Sequence, residues 1–222
     1  MKRWLLISMV LFSAVGSRGA FSLTNQRVSA ASQRQEITIL LEKLSPKIEN
    51  GTIIMAANEE QKRTTTKILS ISRQSNEARQ VVIDSLVEVF DRQGVTSDIR
   101  IYVAYLLSEI KAVEALDTLV QHLDTIGSFS SLSLTVNPMV DAIVRYGEVA
   151  VPHLEKGLSN DTIKIREQAC VALGVIGGEK AENVLMRALN GQTDRGVRDC
   201  VAGALRQIEI NRRQKQRGHT TK

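Results

Sequence analysis

The stretch from Asp161 to Ile208 repeats itself, and this constrains the fold more than any other feature of the chain. Ile165-Arg166 is followed by Leu173 and Ile176, and Val197-Arg198 is followed at the same distances by Leu205 and Ile208. These copies lie 32 residues apart, and an earlier one stands at Ile99-Arg100, Leu107 and Ile110. A period near 30 residues with helical spacing inside it points to stacked helical hairpins, because one hairpin cannot bury its own apolar face.

A second pattern runs between these copies. Val82-Leu86-Phe90, Ala115-Leu119-Leu123, Ala150-Leu154-Leu158 and Ala181-Leu185-Leu189 each put three apolar residues on one helix face, and their starts lie 31 to 35 residues apart. They read as second helices, with their repeated Ala and Leu positions in the core. The first helices are expected near 97–110, 137–147, 161–177 and 194–210. The third first helix departs from the pattern, with Val136 where Arg would stand. A long Ser-rich loop, Gly127 to Val136, precedes it, and Asn137-Pro138 supplies a cap and a first helical proline. Gly177-Gly178 reads as a helix stop.

The ends of the chain differ in character from this middle. Met1-Lys2-Arg3 followed by an uncharged run from Trp4 to Val15 and small residues up to Ala20 reads as a secretory signal, with cleavage near Ser17, Gly19 or Ala20. The run is shorter than the roughly 18 apolar residues that span a bilayer, so a secreted or periplasmic protein without a membrane span is expected once residues 1–20 are removed. Residues 21–35 read as a flexible leader and 36–75 as a degenerate helical cap. In that cap Ile37, Leu40, Leu41, Leu44 and Ile48 share a helix face that Pro46 interrupts, and Gly51 marks a turn. Asn58 caps a further helix running to about Arg73. The repeat array is assigned to 76–210 and a basic disordered tail to 211–222.

The net charge of +5 is a property of these ends. Setting aside three basic residues before position 21 and five after 210 leaves 21 basic against 24 acidic side chains. A mildly acidic body is not a nucleic-acid-binding domain by bulk charge. The tail cations Arg212, Arg213, Lys215, Arg217 and Lys222 suit at most a weak, salt-sensitive contact with an anionic surface.

Asp161, Ile165-Arg166, Ala169, Ala172-Leu173-Gly174 and Ile176-Gly177 together resemble HEAT repeats, most closely the short class named for phycobilisome lyases. The resemblance covers residues 76–210 and implies an all-α fold, a right-handed α-solenoid of about four to five helical hairpins. It also implies that second helices line the partner-binding face. Arg100, Arg166 and Arg198 each start a helix just past Asp98, Asp161 and Asp194, and an Arg–Asp ladder between repeats is the expected structural role of these six.

Chemistry is sparse in this sequence. His122, His153 and His219 lack the spacing of a metal site, so no metal or other cofactor is expected. No phosphate loop follows a strand, and neither Cys170 nor Cys200 has a His at nucleophile spacing. The two cysteines read as small buried residues, with a disulfide as the alternative. The function expected is a non-enzymatic scaffold or adaptor for another protein. Its contacts are drawn from polar second-helix positions: Glu114, Asp117, Gln121, His122, His153, Glu155, Lys156, Glu182 and Arg187. The alternatives are a phycobilin-lyase-like or other HEAT-repeat enzyme, and an electrostatic binder acting through the tail.

Overall fold

The computed structural model describes residues 31–41, 48–49, 52–53, 59–125, 137–191 and 194–219. The chain is an all-α solenoid. Helix α1 covers 31–41, and a two-residue antiparallel pair follows, β1 (Ile48–Glu49) with β2 (Thr52–Ile53). Then come α2 (Glu59–Ser72), α3 (Asn76–Asp91), α4 (Ser97–Glu109) and α5 (Leu116–Gln121), the last entered through a 3-10 turn at Val113–Ala115. Next are α6 (Pro138–Val144) and α7 (Val151–Gly157), the latter entered through a 3-10 turn at Gly147–Ala150. Helices α8 (Ile163–Ile176), α9 (Gly178–Gly191) and α10 (Arg195–His219) complete the array.

The packing follows the repeat. First helices α4, α6, α8 and α10 stack in that order, and second helices α5, α7 and α9 stack beside them. Each second helix also packs on the first helix of the next unit, so the core is one continuous seam. Helix α2 pairs with α3 and buries Ile68 and Ile71, while α1 buries Ile37 and Leu41. The hairpins are α2–α3, α4–α5, α6–α7 and α8–α9, with α10 as a further first helix.

Repeats approach most closely where side chains are smallest. A Cβ on Gly174 in α8 would lie 2.9 Å from the Ala204 Cβ and 3.2 Å from its Cα in α10. A Cβ on Gly157 would lie 2.9 Å from Val120 Cγ1 and 3.1 Å from Ala169 Cβ. Glycine therefore serves the interface here rather than the helix, since it disfavours a helix interior by about 1 kcal/mol relative to Ala.

The structure departs from the sequence reading at the ends. Helix α1 begins at 31, inside the stretch read as a leader, and Arg34 ties it to Asp84 of α3 at 2.9 Å. Ile48 lies in a strand pair instead of extending a helix, because Pro46 denies the backbone that continuation. Leu44, Pro46, Gly51, Asn58 and the loop from Gly127 to Val136 lie outside the described residues, as do the signal segment and residues 220–222. The stretch read as a disordered tail is helical up to His219. Pairs from Glu209 to Arg212 and Arg213, at 3.0 and 2.7 Å, bridge the turn where that tail was expected to start. Leu189, read as core, is exposed alongside Met186, because no second helix follows α9 among the described residues.

Replacing Gly174 with Ala forces α8 and α10 apart and lowers stability by about 1–2 kcal/mol. Gly203→Ala, with nothing within 4 Å of its added Cβ, leaves stability unchanged or raises it by up to about 1 kcal/mol. Urea denaturation of the two variants checks this contrast.

Candidate partner-binding face

The turns between repeats are polar, and their buried carbonyls need donors. The last carbonyls of a helix have no partner within it. Arg100 Nε donates to Phe90 O at 2.9 Å and its Nη2 to Arg92 O at 3.4 Å, closing the end of α3. Arg166 Nη1 donates to Asn160 O at 2.7 Å and Asp161 O at 3.0 Å after α7. Where the arginine is missing, Asn137 takes its place, with its Nδ2 donating to Leu123 O at 3.0 Å while its Oδ1 accepts from Met139 N at 2.9 Å. Asn137 thus caps α6 and holds the end of α5 together.

These bonds correct the expected Arg–Asp ladder. Arg100 and Arg166 direct their guanidinium groups to backbone carbonyls of the preceding turn. Asp194 instead caps α10, its Oδ1 accepting from Val197 N at 3.0 Å, and Asp98 sits in the first turn of α4 where the helix dipole favours an acid. Asp161 enters through its carbonyl. Arg198 is exposed, and the turn that would face it includes residues 192–193, outside the described set.

The charged ladder runs elsewhere, through the nine residues chosen from the second helices. Each of them reaches an adjoining repeat. Glu114 accepts from Arg79 at 2.8 Å. Asp117 takes His153 Nδ1 at 2.7 Å and Lys156 Nζ at 2.9 Å. Gln121 accepts from Asn160 at 2.8 Å, and His122 lies 3.4 Å from Asp91 with its ring edge-on to Phe90. Glu155 pairs with Arg187 at 2.7 Å, and Glu182 pairs with Arg212. Lys180 and Glu148 add a parallel rung at 3.1 Å.

Sequence reasoning missed the partners Arg79, Asp91, Asn160, Glu148, Lys180 and Arg212. Their signal was present: opposite charges recur one repeat apart, as in Glu155 with Arg187, 32 positions on. It missed also the first-helix cluster, where Tyr105 Oη donates to Asp141 at 2.5 Å. There Arg145 lies over the Tyr105 ring at 4.8 Å and reaches Glu109 at 3.0 Å.

The electrostatics are those of a solvated strip. Hydrogen bonds from His153 and then Lys156 hold the Asp117 carboxyl below its ordinary value. Burial, then the Asp141 carboxylate, push the Tyr105 phenol upward. Between α7 and α9 the strip flanks a shallow cleft of about 360 Å³ lined by Glu155, Leu158, Val184, Arg187 and Ala188. Among the described residues, no group of three or more His, Cys, Asp or Glu is placed to hold a metal, and no helix is long and apolar enough to cross a membrane.

No protein-family model matches the chain, and no curated protein matches it. Among solved structures it is similar to a designed armadillo repeat protein in complex with the peptide (KR)4, at 18% identity and a TM-score of 0.34 over 87% of this chain and 95% of that one. What establishes the architecture is the neighbour-by-neighbour packing of the hairpins themselves.

Arg100→Met and Arg166→Met strand carbonyls and lower stability by about 1–3 kcal/mol each, whereas Asp161→Asn changes it by less than about 0.5 kcal/mol. Equal losses from arginine and aspartate variants in denaturant titrations would restore the Arg–Asp ladder. Asp117, with its carboxyl lowered, contributes stability above the ordinary aspartate value near 4 and loses it as pH falls through the lowered value. Thermal melts below pH 4 therefore show a steeper acid loss in the wild type than in Asp117→Asn, by a few tenths of a kcal/mol for so exposed a pair.

Proposed function

We propose that this chain is an exported, non-enzymatic helical-repeat scaffold that holds a protein partner on its second-helix face. One observation carries the reading. The polar side chains of that face are held on the solvent side by a neighbour one repeat away, so they form a pre-organised strip running from α3 to α10. A partner docking there immobilises few additional side chains, and ordering long side chains is a principal penalty of association. Export is part of the proposal, and it rests on the basic, apolar and small-residue order of the first 20 residues.

Ladder and binding roles separate in a charge swap. Glu155→Arg alone breaks its rung and lowers stability by less than about 1 kcal/mol, and adding Arg187→Glu restores the rung with reversed polarity. The partner, recovered by co-purifying the full-length protein from the envelope fraction of its native cells, is lost with the single variant and stays lost with the swap. A swap that regains both stability and partner assigns these residues to the ladder alone and overturns the reading.

A further inference from the structure

Helices α8 and α10 run side by side in a register that places residues of one beside those 30 to 31 positions on. Gly174 meets Ala204, and a Cβ on Gly177 would lie 4.0 Å from Ile208 Cγ1. One turn before Gly174 the same register sets Cys170 beside Cys200. Cys200 Sγ donates to the carbonyl of Glu167, 3.6 Å away and one turn before Cys170 in α8. Both thiols are free, Cys170 buried and Cys200 half-buried. They are the two cysteines of the chain.

A disulfide needs Cα atoms about 4.4–6.8 Å apart, which most pairs of packed helices exceed. At Gly174 the two helices come close enough for an added Cβ to lie 3.2 Å from the Ala204 Cα, and Cys170 and Cys200 stand one turn from that approach. We propose that Cys170 and Cys200 are a reversible redox staple, forming an intrachain disulfide that locks the terminal helix α10 onto α8. The proposal is independent of the scaffold reading, because it concerns the opposite, first-helix stack.

The chemistry is thiol–disulfide exchange with an external disulfide oxidant. Cys200 is the more accessible thiol, and the neighbouring Cys170 thiol holds its value down against the opposing effects of burial and the Glu167 carboxylate. Cys170 is pushed up by the neighbouring Cys200 thiol and by burial. Cys200 as thiolate attacks one sulfur of the oxidant and releases the first thiolate, which takes up the proton Cys200 lost. Cys170 then gives its proton to the second leaving thiolate as its sulfur attacks Cys200 Sγ. The protein loses two hydrogens, and the oxidant becomes two thiols.

The bond would enclose the whole of α9 and both flanking turns. It would tie down α10, which among the described residues stacks on a neighbour from one side only, and such elements of a one-dimensional array open first. Closing a loop of this length constrains the unfolded chain enough to raise Tm by about 5–10 °C.

The test uses the full-length reduced protein incubated with oxidised glutathione, quenched in acid, and denatured with a maleimide. Peptide mapping without reductant is then expected to recover Cys170 and Cys200 joined in one monomer, with the Tm rise reversed by dithiothreitol and absent in Cys200→Ser. Two alkylated thiols, glutathione retained on Cys200, or a dimer linked through Cys200 would each overturn the staple. The mapping is made on the wild-type chain, so an unstable variant does not affect the result.

Discussion

Everything in this array depends on how closely one repeat can approach the next. A hairpin of two amphipathic helices leaves an apolar surface that only a neighbouring hairpin can cover. The thinnest points of that contact, Gly157 against Val120 and Ala169 and Gly174 against Ala204, set the distance between units. At that spacing a carboxylate on one second helix can meet a cation on the next, and two thiols on successive first helices can stand side by side.

The same closeness exposes the chain to a polar penalty, because each interhelix turn pushes unpaired carbonyls against the following unit. An unpaired buried acceptor costs about 1–3 kcal/mol, comparable to the gain from burying a large side chain. At three of these turns the array meets the demand with a side-chain donor: Arg100, Arg166, or Asn137 where the arginine is absent. Arginine suits the task because its planar fork can reach two carbonyls of one turn at once. Asparagine can replace it only by sitting at the cap itself.

The hairpin architecture was legible in the sequence because apolar spacing and repeat period encode burial directly. The Val82 and Ala181 trios fall on α3 and α9, and the Ala115 and Ala150 trios run from a 3-10 turn through α5 and α7 to a residue just past each, with Leu189 alone turned to solvent. The polar roles were not legible in the same way. The arginines recur beside aspartates, and pairing by sequence proximity suggested ion pairs. Hydrogen-bonding groups choose partners in space, though, and these arginines meet the backbone carbonyls of the preceding turn. Conversely, helical phase picked out residues such as Asp117 and Glu155 as outward-facing. Phase says nothing of what stands one repeat away, so their engagement with Lys156 and Arg187 was not apparent. The thiol pair was ambiguous for a related reason. Cys170 and Cys200 occupy different positions after their arginines, and only the observed register of 30 to 31 residues, against a sequence repeat of 32, places them side by side.

A face built of paired charges recognises differently from one of free charges. Most cations on the second-helix strip already have an anion one repeat away, so the strip has little net field with which to draw a charged partner from a distance. A partner that inserts a carboxylate beside Arg187 displaces Glu155 from a bond worth at most about 1 kcal/mol. Such an exchange is nearly neutral when the incoming groups match the geometry, and unfavourable when they leave Glu155 or Arg187 unpaired. Selection on such a face therefore falls on spacing: a partner must present alternating groups at the distance between repeats. That distance is set by the small residues at the helix crossings, so the residues that fix the spacing of the fold also fix what the face can select.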